Sequence, residues 1–197
     1  AANLSSTCSL MRHDREDSTV IWATWANALS VLRLLLAAPC GYAIWLGAWR
    51  SAVVLFAAAV VTDVFDGIIA RRRDQVTPLG GLLDHSIDAI FVTTTLSVLT
   101  LIGVVPTLLP PLVVASFSQY VWDSKALRGA PLRASVLGRW NGIGYYALVG
   151  TVIVANALDL GWVSPDILNA LAWLLILSTL TSMGDRAVAL WRIRGAG

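Results

Sequence analysis

Four aspartates stand where apolar sequence meets polar sequence. Asp63 and Asp66 close one long hydrophobic run, and Asp84 and Asp88 open the next. An acid inside a bilayer costs about 2.5–3.5 kcal/mol on insertion scales, so four of them facing lipid would be prohibitive. They must face water or a cation. Their spacing is ordered. Asp63, Asp66, Gly67, Ala70 and Arg71 follow i, i+3, i+4, i+7, i+8, one stripe of a helix. Gly80, Asp84 and Asp88 follow i, i+4, i+8. Two adjacent antiparallel helices can turn these stripes towards each other, so that four carboxylates converge. Like charges so close repel, and divalent cations are the natural compensation. All-oxygen ligands favour Mg2+, Mn2+ or Ca2+. Gly67 and Ala70 leave a ligand room to approach the backbone, and Arg71 offers a fork of donors for a phosphate. Together these residue types suit two-metal phosphoryl transfer.

Long apolar helices must carry these stripes. The chain has 197 residues, of which 57% are hydrophobic and 13% charged, with a mean hydropathy of +0.72. Soluble domains carry about 25% charged residues. The composition excludes disorder, a collagen, a disulfide scaffold and an ordinary water-soluble enzyme. It predicts an all-α integral membrane protein. A spanning helix needs about 20 mostly apolar residues, and six runs qualify: residues 26–47, 51–71, 81–104, 106–121 with an extension to 128, 137–158, and 165–187 with a continuation to 192. Gly47, Pro78, Gly80, Gly81, Pro106, Gly129, Pro131, Gly161 and Pro165 punctuate them. Residues 1–18 form a polar tail without the layout of a signal peptide, ahead of a membrane domain over residues 19–197. The two cysteines, Cys8 and Cys40, imply no disulfide framework.

The charges give orientation. Of 14 Lys and Arg residues, all but Arg33 and Arg50 fall in the tail, in the second and fourth connections, or at the C-terminal end. Short cytoplasmic loops carry such an excess. Both termini are therefore expected in the cytoplasm, as an even number of spans requires. Eight of the nine tryptophans cluster at predicted helix ends, like an aromatic belt, while Trp173 lies mid-helix and is expected to pack.

The run Asp63-x-x-Asp66-Gly67-x-x-Ala70-Arg71, eight residues, then Gly80-x-x-x-Asp84-x-x-x-Asp88 resembles the signature of the CDP-alcohol phosphotransferases at eight fixed positions. The resemblance implies a six-helix membrane enzyme, usually a homodimer, in the bacterial inner membrane with its site facing the cytoplasm. It implies transfer of a phosphatidyl group from CDP-diacylglycerol to an alcohol, with release of CMP. Asp63, Asp66, Asp84 and Asp88 would hold two Mg2+ or Mn2+ ions, and Asp88 would also be the catalytic general base. Gly67, Ala70, Arg71, Thr77 and Gly80 would form the CDP-donor site. Asn27 and Ser30 are similar to an Asn-x-x-Thr stretch that helps form the cytidine pocket, with Ser in place of Thr. No nucleic acid is implied.

The acceptor is less defined. Lys125, Arg139 and Arg186 resemble the basic set that holds an acceptor phosphate, which fits glycerol 3-phosphate or an inositol phosphate. The same residues also serve as topology charges and headgroup contacts. Serine, choline, or phosphatidylglycerol as in cardiolipin synthesis remain alternative acceptors. Arg33 has three readings: snorkelling, pairing with an acid, or a nucleotide contact. His85 lies off the acid stripe and is read as packing or support. Two other classes share the acids, a divalent-cation transporter and an inactive scaffold. Against transport, helices four to six carry no acid at mid-membrane depth.

Overall fold

A computed structural model describes residues 25–72, 78–124 and 136–195. Among them the chain forms six α-helices and no strand: α1 Trp25–Trp45, α2 Trp49–Arg72, α3 Pro78–Leu101, α4 Leu109–Ser124, α5 Val136–Ala157 and α6 Pro165–Gly195. The six expected runs are these six helices, with ends shifted by a few residues. The polar tail over residues 1–18 lies outside the described residues. Two helices are by themselves long and apolar enough to cross a membrane, over Gly80–Leu101 in α3 and Pro165–Ala189 in α6, and the apolar part of α1, Leu29–Trp45, is shorter.

Three helix exits are closed by the same device. Gly47 (φ 67°) and Gly103 (φ 79°) adopt the left-handed conformation just past α1 and α3. In each case the next amide reaches back five residues, Ala48 to the Ala43 carbonyl at 2.9 Å and Val104 to the Leu99 carbonyl at 2.9 Å. Asp159 (φ 51°) does this after α5, where Leu160 N–H meets the Ala155 carbonyl at 2.9 Å. These hydrogen bonds satisfy carbonyls that the helix would otherwise leave unpaired. The closures cap α1, α3 and α5 at the end of the bundle opposite the acidic stripes.

The core is small where helices cross closely and aromatic nearer the acids. Ala37, Cys40 and Ala43 of α1 are buried with Ala52 and Ala59 of α2. Small side chains let helix backbones approach closely. Cys40 is a free, buried thiol, as a small apolar residue would be. Phe91, Leu96 and Leu99 of α3, Leu109, Leu112 and Val113 of α4, Val149, Val152 and Ile153 of α5, and Ile176 of α6 belong to the same buried cluster. Outwards, Leu35, Val54, Leu101, Leu174 and Leu177 are exposed, an arrangement suited to lipid. Trp45, Trp122, Trp140, Trp162 and Trp191 are exposed near helix ends. Trp173 is also 47% exposed, so it faces outwards and the expected packing role is corrected: its position on α6 lies on the outer stripe with Leu174 and Leu177.

Candidate functional site

The acidic stripes meet through a third helix. The sequence pattern lets two adjacent acid-bearing helices turn their stripes towards each other, and the structure does bring Asp63 together with Asp84 and Asp88. Among the described residues the principal packing is α1 against α2 and α1 against α3, and α1 places Arg33 between the two stripes. Arg33 Nη2 lies 2.9 Å from Asp63 Oδ1, and Nη1 lies 3.0 Å from Asp84 Oδ1 and also pairs with Asp88 Oδ1. The guanidinium is fully buried, at 0% exposure, whereas the three carboxylates are 41%, 31% and 28% exposed. A buried cation requires this kind of pairing, because an uncompensated charge there costs several kcal/mol.

Asp63, Asp84 and Asp88 each offer one oxygen, all within 4.8 Å of one another. Ser30, one turn before Arg33, donates to Asp84 Oδ1 at 3.5 Å. From the opposite side Tyr146 Oη donates to Asp88 Oδ1 at 3.0 Å. Tyr146 is itself held by rings. It stacks on Phe91 at 5.9 Å and 5°, and Phe56 lies tilted against both at 6.1 and 6.2 Å. Gly150 makes this possible, since a Cβ there would stand 3.0 Å from Phe56 Cε1. The aromatic bracket thus joins α2, α3 and α5 immediately behind Asp88.

A second stack joins α3, α4 and α6. The His85 ring lies against Tyr120 at 5.8 Å and 20°, and the Arg186 guanidinium sits 5.2 Å from the centroid of the same tyrosine ring. A cation over an aromatic face is favourable by about 0.5–2 kcal/mol. Gln119 Nε2 donates to the Met183 carbonyl at 3.1 Å, fastening α4 to α6 beside this stack. On α5, Tyr145 pairs with Thr179 at 2.5 Å and Asn141 accepts from Ser178 Oγ at 2.5 Å. These polar contacts fix α6 against α5.

The structure therefore brings together Ser30, Asp63, Asp84 and Asp88 of the expected residues. Gly80 lies in the first turn of α3, half-buried. Asn27 lies in the first turn of α1, and Asp66, Gly67, Ala70 and Arg71 lie in the final turns of α2; their side chains are outside the described part of the structure. Thr77 and Lys125 fall outside the described residues altogether. Arg139 is exposed on the first turn of α5, and Arg186 is half-buried on Tyr120. Of the three readings of Arg33, pairing with acids is the one observed. Tyr146 was not anticipated, although a tyrosine within an apolar helix needs a partner for its hydroxyl.

The donor set fits a hard divalent cation. It is all oxygen, it converges, it reaches solvent, and it carries more negative charge than Arg33 neutralises. No further metal-capable His, Cys, Asp or Glu group of this kind occurs among the described residues.

The model of the family described as CDP-alcohol phosphatidyltransferase matches residues 23–189. The chain is 31% identical over 144 residues to a CDP-diacylglycerol–glycerol-3-phosphate 3-phosphatidyltransferase of Cereibacter sphaeroides, covering 68% of this chain and 64% of the relative. It is 36% identical over 72 residues to the protein of the same description from Blochmanniella floridana, covering 34% and 37%. It is 37% identical over 86 residues to a putative cardiolipin synthase of Mycobacterium tuberculosis, covering 42% and 40%. In each case the alignment spans less than two thirds of the relative's length. No solved structure matches the chain.

Proposed function

The chain belongs to the CDP-alcohol phosphatidyltransferase family, and on that premise we propose that it transfers the phosphatidyl group of CDP-diacylglycerol to the hydroxyl of a small phosphorylated alcohol, releasing CMP. Glycerol 3-phosphate is the first acceptor to test, and inositol phosphate the second. The observation that carries the reading is the convergence of Asp63, Asp84 and Asp88 at one partly exposed point.

The chemistry follows from the residues. The acceptor oxygen forms a bond to the lipid-linked phosphorus while the bond from that phosphorus to the bridging diphosphate oxygen breaks, and CMP leaves with the electron pair. Asp88 takes the hydroxyl proton, and Tyr146 holds the carboxylate that does so. Asp63, Asp66, Asp84 and Asp88 would hold two Mg2+ or Mn2+ ions, which supply neutralisation of the diphosphate and of the charge developing on CMP. Asn27, Ser30, Gly67, Ala70, Arg71, Thr77 and Gly80 form the CDP side of the site in this reading. Lys125, Arg139 and Arg186 receive the acceptor phosphate, with Arg186 held in place on Tyr120.

All six helices span the membrane in this proposal, with both termini and the site on the cytoplasmic face of a bacterial inner membrane. The lipid tails of the donor then stay in the bilayer while a water-soluble acceptor enters from the cytoplasm. A homodimer is the proposed assembly. The description of the mycobacterial relative favours one second reading, phosphatidylglycerol as acceptor.

The test is CMP release by the purified protein with CDP-diacylglycerol, Mg2+ or Mn2+, and each acceptor in turn. Release with glycerol 3-phosphate, abolished by chelation, is the expected result. Release with phosphatidylglycerol alone would select the second reading. Absence of release from folded protein, together with Mn2+ flux into liposomes, would replace both with transport.

A further inference from the structure

We infer that Arg33 is a positioning residue: it is the resident counter-cation of the carboxylate cluster, keeping Asp63, Asp84 and Asp88 convergent before metal binds and yielding those carboxylates as divalent ions arrive. This inference rests on the metal reading of the site and adds the residue that sets its affinity.

Three observations support it. First, one side chain contacts all three acids, drawn from two helices, and does so while fully buried. Without it three carboxylates within 4.8 Å would repel one another and splay apart. Second, one guanidinium among three carboxylates leaves a net of two negative charges on these groups, so the cluster is held together but not satisfied. That residual charge suits a divalent ion. Third, Arg33 meets each of these three aspartates through the oxygen at the point of convergence, Oδ1. A divalent ion drawn to that point meets a positive charge already there, and the two cations repel at short range. α1 packs against both acid-bearing helices, so a shift of Arg33 off the cluster needs no separation of α2 from α3.

The energetics link the two roles. A group that stabilises the metal-free cluster and opposes the ion must, when removed, both weaken the metal-free protein and tighten ion binding. This reciprocity is a thermodynamic necessity when both effects act through the same charges. A purely structural arginine would produce the first effect without the second.

The experiment uses the full chain in detergent, stripped with chelator, with Mn2+ alone as the probe. Free Mn2+ is read by electron paramagnetic resonance, and thermal unfolding is followed with and without the ion. Arg33→Gln is expected to lower the metal-free melting temperature by several degrees. It is also expected to tighten Mn2+ binding about tenfold, within the roughly 5–150-fold span usual for coupled sites. The Mn2+-induced rise in melting temperature is then larger than in the wild type. Arg33→Lys keeps the charge but loses the planar fork, and should shift both readouts in the same directions by less. If Arg33→Gln cannot be isolated, Arg33→Lys carries the test with the same signs. Binding by the variant that is equal to or weaker than wild type overturns the inference, as does an unchanged metal-free melting temperature. A wild-type protein that binds no Mn2+ overturns the metal reading itself, which is a different result from a wild type that binds and a variant that binds no more tightly.

Discussion

Tyr146 on α5 donates its hydroxyl to Asp88 on α3 across 3.0 Å, and Asp88 shares the accepting oxygen with Arg33. The carboxylate assigned the proton is thus held from two sides by two helices. Its rotamer is fixed before substrate arrives, which is what a positioned base needs. The ring behind that hydroxyl is fixed in turn by Phe91 and Phe56.

Replacing Tyr146 by Phe keeps the ring stack and removes only the hydroxyl. A typical hydrogen bond is worth about 0.5–1.5 kcal/mol net. The expected result is a fall in kcat of about tenfold at the upper end of that range, with donor KM and melting temperature little changed. Initial-rate kinetics of CMP release on the purified variant decide this. A loss confined to KM would remove Tyr146 from the support of Asp88.

Asp88→Asn should abolish turnover and leave folding largely intact, because Asn occupies the same volume and still accepts from Tyr146. Circular dichroism and size-exclusion elution check the fold, and CMP release checks the activity. Near-normal turnover would assign the base elsewhere.

Chelation should remove activity from the wild type, and Mg2+ or Mn2+ should restore it. A ligand that binds the native state alone adds RT ln(1 + [L]/Kd), about 2.7 kcal/mol at a hundredfold excess over Kd. Restored metal is therefore expected to raise the melting temperature as well, and differential scanning fluorimetry in detergent reads this directly.

Among the described glycines, Gly150 is the one where an added side chain presses on the aromatic bracket. A Cβ there lies 3.0 Å from Phe56 Cε1 and 3.3 Å from Cζ. Overpacking of this kind costs about 1–3 kcal/mol for a large residue. Gly150→Leu should lower the melting temperature and, by displacing Phe56 from Tyr146, also lower kcat. Gly142, with open space around its Cβ position, is the control: Gly142→Ala should leave both unchanged.

Arg186→Ala and Arg139→Ala should each raise KM for a phosphorylated acceptor more than for CDP-diacylglycerol. Tyr120→Leu removes the face on which Arg186 rests and should reproduce part of the Arg186 effect. Acceptor and donor saturation curves on the three variants are the measurement. Equal changes in both KM values would return these residues to topology and headgroup contact.

The sequence by itself determined the membrane character, the six helices and the acidic stripes. Each of these is a one-dimensional property: hydropathy summed along the chain, and residues repeating with the helical period. It also determined that four acids could not face lipid, because burial of an unpaired charge is costly in any fold. What it left open is which element stands between the stripes. A period of 3.6 shows which residues share a face but not which helix that face meets. Two acid-bearing helices pressed directly together and two helices bridged by α1 are the same pattern in sequence. Tertiary packing chose the second, with Ala37, Cys40 and Ala43 of α1 buried in the common core beside Ala52 and Ala59 of α2. That choice settled the pairing of Arg33, whose three readings differ only in what lies within reach of a long side chain. It also set Tyr146, 58 residues from Asp88 in the chain, against the carboxylate. Contacts at that separation depend on how α3 and α5 pack, and no local spacing encodes them.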